Sequence, residues 1–443
     1  MINQNRYCIV IIARNQLEEV KGTIDSIKKF SDLNENGIIV VDNGSEDGTR
    51  NWLEEQQEID YVICDEGLEN YAHILNEIVQ EFISDEDLLI LTAGMIVLPN
   101  CIEILREALY YAKEVGAVVA KKCVADEAVK CITGQLEEWG KKEILGLPPE
   151  AVMIRNEMLL QIGEFDASLI LPKSIMVDFA FRGLEKGYRY FEIQNAFICK
   201  ILNDEDVYVN IYGRNVDRAV LQEKWGMNYF NQRPNYGLLA LIEKAKEEEF
   251  NVLEIGCDCG VNLLHLKNEF SKVNLYGVEI NQSAALVAAY VAQVQVANIE
   301  EKMLDFDGIK FDYIIFGDVL EHLRNPEEVL VYCKSLLKDE GRILACIPNL
   351  MHYTVMAGLL NGNFQYSDTG LLDKSHIHFF TYNEIMKMFG RAGYEIKDLS
   401  YTGGIHTATE QDKELVNKLL TFSDNTKEFM YYAFQYIVSA KKV

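Results

Sequence analysis

The chain has 443 residues, 49% of them hydrophobic and 25% charged, and a formal net charge of −27 at pH 7. This length predicts two or three domains, and the acidic surface disfavours nucleic acid and anionic membrane surfaces as partners because both would repel it. The ten cysteines follow no zinc-ligand or disulfide-framework spacing. We find no secretory signal pattern and no run of about 18 apolar residues, so we expect a cytoplasmic protein without membrane insertion.

Short apolar runs alternate with amphipathic stretches along the chain, which predicts an α/β fold with parallel sheets covered on both faces. Five runs in the first half predict strands: Tyr7–Ala13, Gly37–Asp42, Tyr61–Cys64, Leu88–Thr92 and Ala117–Ala120. The stretch Asn203–Asn235 is polar and aromatic without a clean period. We place a boundary near residue 225, which gives domains 1–225 and 226–443.

Several segments of the first half share the pattern of one enzyme family. They are YCIVIIARNQLEEVKGTIDSI, IIVVDNGSEDGT, LENYAHILNEIV, VMIRNEMLLQIGEFDASL and FAFRGLEKGYRY. Over about residues 5–200 the chain resembles glycosyltransferase family 2, which has the GT-A nucleotide-diphospho-sugar transferase fold. The resemblance implies a nucleotide-sugar pocket containing Asp42, which would accept a hydrogen bond from the base, together with Asn76 and Asp178.

Two elements of that family's site are missing from the sequence. An Asp-x-Asp pair normally follows the strand matching LLILTAG and holds a divalent cation, but this chain has Thr92, Ala93 and Gly94 there. The family's Glu-Asp pair before the closing helix falls at Ile175 and Met176. We therefore expect an inactive or repurposed domain; an active enzyme that uses other groups is the alternative.

The second half has its own alternation of strands and helices. The strand candidates are Asn251–Ile255, Asn274–Val278, Phe311–Phe316 and Gly341–Ile347, followed by a Tyr-rich final segment, Phe429–Ala440. A helix is expected over Tyr236–Glu249 before the first strand, and another over Val261–Phe270 after it.

A glycine turn follows the first of these strands, in NVLEIGCDCG. Gly256 and Gly260 allow a sharp turn and close approach to a ligand. Glu279, 19 residues beyond Gly260, ends the next strand, where a carboxylate can accept both hydroxyls of a ribose. Asp258 would repel a pyrophosphate in this loop, so the pattern favours the phosphate-free cofactor S-adenosylmethionine over NAD.

The order of motifs from about Leu238 to Val443 resembles the class I S-adenosylmethionine-dependent methyltransferases, with a Rossmann-like fold, in their small-molecule O- and N-methylating branch. The matching segments are VLEIGCDCG, GVEIN, FDYIIFGDVLEHLRNPEEVL, LLKDEGRILACIPN and DKSHIHFFT. The resemblance implies a set of cofactor-binding residues: Glu254, Gly256, Cys257, Gly260, Glu279, Ile280, Asn298, Ile299 and Asp318.

A hydroxyl acceptor needs a base, and histidine is the usual choice near neutral pH. The candidates are His322, just past the fourth strand, and His376 and His378, which the alternation in SHIHFF would place on one face of a strand. Each of them could instead brace the fold. Glu321 reads as a helix-start carboxylate. Four aromatics read as substrate wall or core: Tyr353, Phe364, Phe379 and Phe380. We expect no metal, because no motif has metal-ligand spacing.

Three functions fit these patterns. The first is methylation of a sugar or glycan intermediate, with an N-terminal domain that recognises a glycan or nucleotide-linked substrate. The second is a bifunctional enzyme that adds a sugar and then methylates it. The third is a non-catalytic scaffold of a glycan assembly system. The methyltransferase motifs do not name the acceptor, and the sequence does not indicate an oligomeric state.

Overall fold

The computed structural model describes residues 6–31, 36–56, 59–64, 70–123, 140–200, 211–227, 230, 233–422 and 425–443. The chain forms two compact units, Met1–Phe230 and Asn231–Val443. Each unit has its own α/β sheet and hydrophobic core, as the sequence predicts. Within the described ranges, no helix has both the length and the apolar character needed to cross a bilayer.

The first unit is built on a nine-stranded sheet whose order is β3-β2-β1-β4-β8-β6-β9-β5, with β7 pairing β9. Its strands are β1 Tyr7–Ala13, β2 Gly37–Asp42, β3 Asp60–Ile63, β4 Asp87–Thr92, β5 Met95–Val97, β6 Val115–Lys122, β7 Lys141–Ile144, β8 Val152–Ile154 and β9 Arg189–Lys200. The β3-β2-β1-β4 block and the β6–β9 pair are parallel. The α/β fold is as expected, but the sheet is mixed rather than parallel throughout, because β8 runs antiparallel between β4 and β6, and β5 and β7 run antiparallel to β9.

Helices follow the strands of this unit and bury their apolar stripes against the sheet. They are α1 Leu17–Phe30, α2 Thr49–Glu54, α3 Tyr71–Phe82, α4 Cys101–Leu109, α5 Asn156–Ile162, α6 Pro172–Glu185 and α7 Ile211–Trp225. The stretch Asn203–Asn235 has no clean period in its residue pattern, yet α7 occupies part of it; residues 203–210 lie outside the described ranges. Asp217 anchors α7, because its carboxylate accepts the backbone N–H groups of Ile170 and Leu171 at 2.7 and 3.0 Å.

Cys123 and Cys199 form a disulfide between the ends of β6 and β9. The two cysteines lie 76 residues apart, so their spacing in the sequence gave no indication of pairing. Parallel pairing of β6 with β9 brings them together.

The second unit has a seven-stranded sheet of order β12-β11-β10-β13-β14-β16-β15. Its strands are β10 Phe250–Ile255, β11 Val273–Glu279, β12 Gln293–Val296, β13 Phe311–Gly317, β14 Leu337–Pro348, β15 Tyr394–Gly403 and β16 Ala433–Lys442. The first five strands in chain order are parallel, and β16 is antiparallel to both β14 and β15. The order reverses between β10 and β13, which opens a crevice at the carboxyl ends of these strands.

Helices lie between these strands. They are α8 Tyr236–Leu239, α9 Val261–Glu269, α10 Gln282–Ala288, α11 Pro326–Cys333, α12 Tyr353–Leu360, α13 Tyr382–Arg391, α14 Glu410–Leu420 and α15 Phe429–Tyr432, with 3-10 turns at Ile299–Glu301, Leu320–His322 and Ile405–Thr407. The Tyr-rich final segment begins as α15 and becomes β16 only at Ala433.

The helix predicted over Tyr236–Glu249 ends at Leu239. Other acceptors replace the helical carbonyls beyond that point. The backbone N–H of Glu243 donates to the Tyr313 hydroxyl at 3.1 Å, and that of Ala245 donates to the Glu248 carboxylate at 3.3 Å. The Lys244–Glu248 pair, which reads as a helical i,i+4 ion pair, therefore closes a turn instead.

Candidate active site

The turn after β10 approaches the crevice because Gly256 lies there with φ +68°. A Cβ atom at Gly256 would lie 2.6 Å from Cγ2 of Val319, so a side chain would collide with the neighbouring loop. Gly260 caps α9 with φ +80°, and a Cβ there would lie 3.1 Å from Ala288. Both glycines of the predicted motif are required by close backbone approach.

Glu279 ends β11 and is buried, with 8% of its surface exposed. One carboxylate oxygen accepts the backbone N–H of Asn281 at 2.8 Å, and the other accepts that of Asp258 at 2.9 Å. Each oxygen has two acceptor sites. The carboxylate is therefore fixed in place and still has capacity to accept the two hydroxyls of a ribose.

Glu254, near the end of β10, is a buried carboxyl group that is only half satisfied. Its Oε1 accepts from Nδ2 of Asn262 at 2.7 Å, while its Oε2 has no hydrogen-bond partner among the described residues. Burial, with the nearby Asp258 and Glu279 carboxylates, raises the pKa of Glu254 to about 8. An orphaned buried oxygen of this kind suits a cationic or hydrogen-bonding ligand group.

A cavity of about 840 Å³ opens at the ends of β10, β11 and β13. Its lining includes six of the nine predicted cofactor residues: Gly256, Glu279, Ile280, Asn298, Ile299 and Asp318. Glu254, Cys257 and Gly260 do not line it. Cys257 is in the core, where its Sγ lies against Gly277. The residues that line the cavity fit S-adenosylmethionine, because the glycine turn at Gly256 lets the backbone approach a ligand and Glu279 has acceptor capacity for ribose hydroxyls.

Asp318 follows β13 in a left-handed backbone conformation, with φ +57°. Its side chain accepts a hydrogen bond from the Gln435 amide, and its backbone N–H donates to the Cys346 carbonyl at 3.2 Å. Burial raises the pKa of Asp318, and the neighbouring His322 partly offsets this increase. A non-glycine residue held at positive φ is a common mark of a functional position. No sequence pattern indicated the Gln435 contact.

The three candidate histidines lie in different surroundings. His322 lines the 840 Å³ cavity, and its Nδ1 lies 3.2 Å from the Ser375 carbonyl oxygen. His376 is nearly buried behind it, at a ring-centroid distance of 4.9 Å. His378 faces a neighbouring cavity of about 830 Å³, and its Nε2 lies 3.1 Å from the Arg324 carbonyl oxygen. Only His322 is therefore adjacent to the cofactor cavity.

The segment SHIHFF was predicted to be a strand, but it forms an irregular loop. The backbone N–H groups of Ile377 and His378 both donate to the Glu321 carbonyl, at 2.9 and 3.0 Å, so they are not available to a neighbouring strand. Glu321 does not begin an α-helix; it lies in the 3-10 turn Leu320–His322 and is completely buried. The loop brings His376 close to Glu321. This proximity was not predicted, because the two residues lie far apart in the sequence.

The four aromatics divide into core and rim. Tyr353 and Phe380 are buried in hydrophobic clusters. Phe364 is 39% exposed and packs edge-on against Phe379 at a centroid distance of 5.5 Å, with Tyr366 at 5.4 Å from Phe364. Phe379 in turn contacts the His376 ring at 6.1 Å. Phe364 and Phe379 thus remain candidates for a substrate wall, whereas Tyr353 and Phe380 support the fold.

In the first unit the side chains of the three predicted pocket residues already make hydrogen bonds within the protein. Asn76 clamps the backbone of Phe165 through both side-chain atoms, at 2.9 and 2.7 Å. Asp178 is completely buried and accepts from Arg182 at 2.9 Å, Trp225 at 2.9 Å and Lys224 at 2.7 Å. Asp42, buried at the end of β2, accepts the Ser45 backbone N–H at 3.1 Å.

The positions of the family's missing groups are also defined. Thr92 ends β4, and Gly94 has φ +86° with its N–H donating to the Thr23 hydroxyl at 3.0 Å. Ile175 and Met176 are fully buried in α6. Neither site offers a carboxylate to a metal or to an acceptor hydroxyl.

Comparison with known proteins gives a match for each unit. Residues 227–399 match the methyltransferase domain family, and residues 8–153 match glycosyl transferase family 2. A ubiquinone biosynthesis O-methyltransferase from Glaesserella parasuis is 25% identical over 158 residues, covering 33% of this chain and 66% of the relative. A ubiquinone biosynthesis O-methyltransferase from Coxiella burnetii is 23% identical, covering 35% of this chain and 67% of the relative. The chain thus spans about two thirds of the length of these relatives.

Solved structures resemble each unit at low identity. A mannosyltransferase from Pyrobaculum calidifontis, solved with GDP-mannose and Mn²⁺, is 18% identical with a TM-score of 0.38, covering 50% of this chain and 63% of its own. A possible histamine N-methyltransferase from Thermotoga maritima is 17% identical with a TM-score of 0.33, covering 46% and 86%.

The second unit, with its sheet order, glycine turn and cofactor cavity, is an S-adenosylmethionine-dependent methyltransferase domain. The chain as a whole joins that domain to a glycosyltransferase family 2 domain of the GT-A type.

Proposed function

We propose that this protein transfers a methyl group from S-adenosylmethionine to a hydroxyl of a sugar or glycan intermediate. The observation that carries the proposal is the meeting of six predicted cofactor residues and His322 at one cavity. The cofactor supplies an electrophilic methyl group on a sulfonium. The protein's task is then to hold the acceptor oxygen in line with that group and to remove its proton.

The cofactor is held by groups the chain has fixed beforehand. Glu279 receives the ribose hydroxyls, since two backbone N–H groups already orient its carboxylate. Ile280, which is 70% exposed, offers an apolar surface beside the base, and Asn298 and Ile299 stand at its edge. Preorganised partners of this kind lower the entropic cost of binding, because fewer groups must be ordered when the cofactor binds.

His322 is the proposed base. The Ser375 carbonyl can only accept, so Nδ1 of His322 carries the proton and donates to it. Nε2 is thereby left with a lone pair, which is the form that a general base requires. His322 lines the cavity together with Asp318 and Val319.

The acceptor class rests on three supports. The curated relatives are named O-methyltransferases, which favours an oxygen acceptor. The glycosyltransferase family 2 unit on the same chain favours a sugar-linked acceptor. The exposed aromatic side chains near His376 offer flat apolar faces on which a ring can pack.

We further propose that the first unit binds a glycan or sugar nucleotide without transferring the sugar. Thr92 and Gly94 cannot hold a cation, and Ile175 and Met176 cannot accept a proton. Asp178, the nearest carboxylate in α6, is completely buried and already accepts from three donors. Binding without transfer is the role that this combination supports.

The test is methyl transfer from labelled S-adenosylmethionine to a panel of sugars, sugar nucleotides and glycan fragments. We expect His322→Ala to lower kcat by about 10²–10⁴-fold, the range for loss of a general base, with cofactor affinity little changed. His406→Ala, which replaces an exposed histidine on the turn Ile405–Thr407, is the matched control. Wild-type turnover confined to acceptors that lack a sugar would contradict the proposed substrate class.

A further inference from the structure

The turn after β13 and the loop before α13 bring three potential metal ligands together. Glu321, His322 and His376 each have one ligand atom within 4.8 Å of those of the other two. Nε2 of His376 lies 4.0 Å from Oε1 of Glu321. The cluster lies beside the cofactor cavity, because His322 lines that cavity.

Glu321 is poorly satisfied by the protein itself. Its side chain is completely buried, and neither carboxylate oxygen has a hydrogen-bond partner among the described residues. Isolated buried carboxylates are costly, and in proteins they are normally paired or coordinated to a cation. The surroundings therefore favour an additional positive charge.

One of the two imidazoles, that of His322, is arranged as metal-binding histidines usually are. His322 donates through Nδ1 to the Ser375 carbonyl, which leaves Nε2 free in the tautomer that a metal requires. Metal-ligating histidines commonly donate the other ring N–H to a carbonyl or carboxylate in this way. His376 is nearly buried beside His322, with the centroids of the two rings 4.9 Å apart.

We propose that Glu321, His322 and His376 form a binding site for a divalent transition metal, with Zn²⁺ as the best-matched ion. Two imidazoles and one carboxylate suit zinc and its neighbours, whereas Mg²⁺ and Ca²⁺ prefer oxygen ligands throughout. Donors at about 2.0–2.2 Å from an ion lie closer together than the donors here. Binding therefore draws the loop toward the turn, mainly through the His376 side chain.

Three protein ligands leave a fourth position for water or an acceptor oxygen. Nε2 of His322 would serve either the metal or a proton, so the metal-free cluster presents a base and the loaded cluster a Lewis acid. Metal binding is measured without any methyl transfer. A failure of the proposed metal site can therefore be distinguished from a failure of the proposed sugar acceptor.

The experiment uses the full chain, stripped of metal and titrated with Zn²⁺ by calorimetry and with Co²⁺ by visible absorption. We expect one ion per chain and a Co²⁺ spectrum typical of nitrogen and oxygen ligands at low coordination number. Glu321→Gln and His376→Asn should each weaken binding about tenfold or more, since loss even of a group supporting a ligand costs about 10–100-fold.

His406→Asn serves as the control and should bind as the wild type does. Cofactor binding by each variant, measured separately, shows that the C-terminal unit is folded. Should Glu321→Gln not fold, the His376→Asn variant and the wild-type Co²⁺ spectrum still decide the matter. Absence of a wild-type Co²⁺ spectrum, or equal affinity in the folded variants and the wild type, overturns the site.

Discussion

Three residues around the cofactor cavity hold the left-handed backbone region: Gly256, Asp258 and Asp318, with φ of 68°, 46° and 57°. Glycine adopts this conformation freely, whereas for other residues it costs free energy. The Asp258 N–H donates to Glu279, so that strained position also orients the ribose acceptor. The strained backbone at Asp258 therefore helps to orient the carboxylate that we propose binds the cofactor.

Glu279 is the residue at which cofactor affinity is most directly tested. Replacing it by Ala removes the acceptor for the ribose hydroxyls and frees two backbone N–H groups. We expect the free energy of S-adenosylmethionine binding to weaken by about 1–3 kcal/mol, measured by calorimetry. Glu249→Ala, at an exposed position before β10, should leave it unchanged. Equal affinity in the two variants would disprove the ribose role.

Glu254 gives a pH-dependent stability of known sign. Its folded-state pKa is raised to about 8, so the native state holds a proton that the unfolded state releases above its own lower pKa. This contribution to the free energy of unfolding is present below about pH 4.5 and is lost as the pH rises to about 8. The slope is at most about 1.4 kcal/mol per pH unit.

Glu254→Gln removes the titration while keeping a similar shape. We expect the free energy of unfolding of the variant, relative to the wild type, to rise between pH 5 and 8 and then level off. Hydrogen exchange of the β10 segment at several pH values measures it, with Glu249→Gln as the control. Parallel profiles for Glu254→Gln and the wild type would show that Glu254 does not titrate in this range.

At the scale of elements, α6 and α7 are joined by the buried Asp178 carboxylate. Arg182 in α6 donates to it, and so do Lys224 and Trp225 at the end of α7. Trp225 and Phe230 also pack edge-on against Phe181. A carboxylate with these partners holds two helices together, which explains why it is not free to act as a base.

Asp178→Ala should therefore destabilise the first unit. Loss of the carboxylate leaves two cations without their buried partner, and we expect the free energy of unfolding to fall by about 2–4 kcal/mol. The protein has three tryptophans, all in the first unit, so tryptophan fluorescence during urea unfolding reports on this unit. Asp25→Ala, at an exposed position of α1, is the control. A change below 1 kcal/mol would mean that the contact contributes little.

At the scale of the whole molecule, the two units differ in their equipment for chemistry. The second has a cavity lined by six of the predicted cofactor residues, and His322, the proposed base, is also in its lining. The first has the family's sheet and its Asp42, but neutral groups where a cation would be held. A division into a recognising unit and a transferring unit is the arrangement that fits this difference.

The first unit should bind nucleoside diphosphates weakly, and manganese should change the affinity less than about twofold. A cation normally neutralises the diphosphate, and Thr92 and Gly94 cannot hold one. Calorimetry with UDP and GDP, with and without Mn²⁺, measures this, alongside release of nucleoside diphosphate from a donor panel. Sustained release that requires a glycan acceptor would show instead a working glycosyltransferase.

The sequence by itself determined the two α/β units, the glycine turn at Gly256 and the position of Glu279, the proposed ribose acceptor, at a strand end. These features depend on local order along the chain: a buried strand, a turn that needs glycine and a carboxylate at the next strand end. Strand cores such as Tyr7–Ala13 and Gly37–Asp42 were predicted with the bounds observed, because their apolar runs are continuous.

Tertiary structure alone decided the rest. The disulfide between Cys123 and Cys199, the burial of Glu321 against His376 and the contact of Gln435 with Asp318 join residues distant in sequence. Hydrogen bonding to the Glu321 carbonyl also turned SHIHFF into a loop despite its alternating pattern. Such pairings are fixed by strand order and by the need to satisfy buried polar groups, and neither leaves a periodic signal in the sequence.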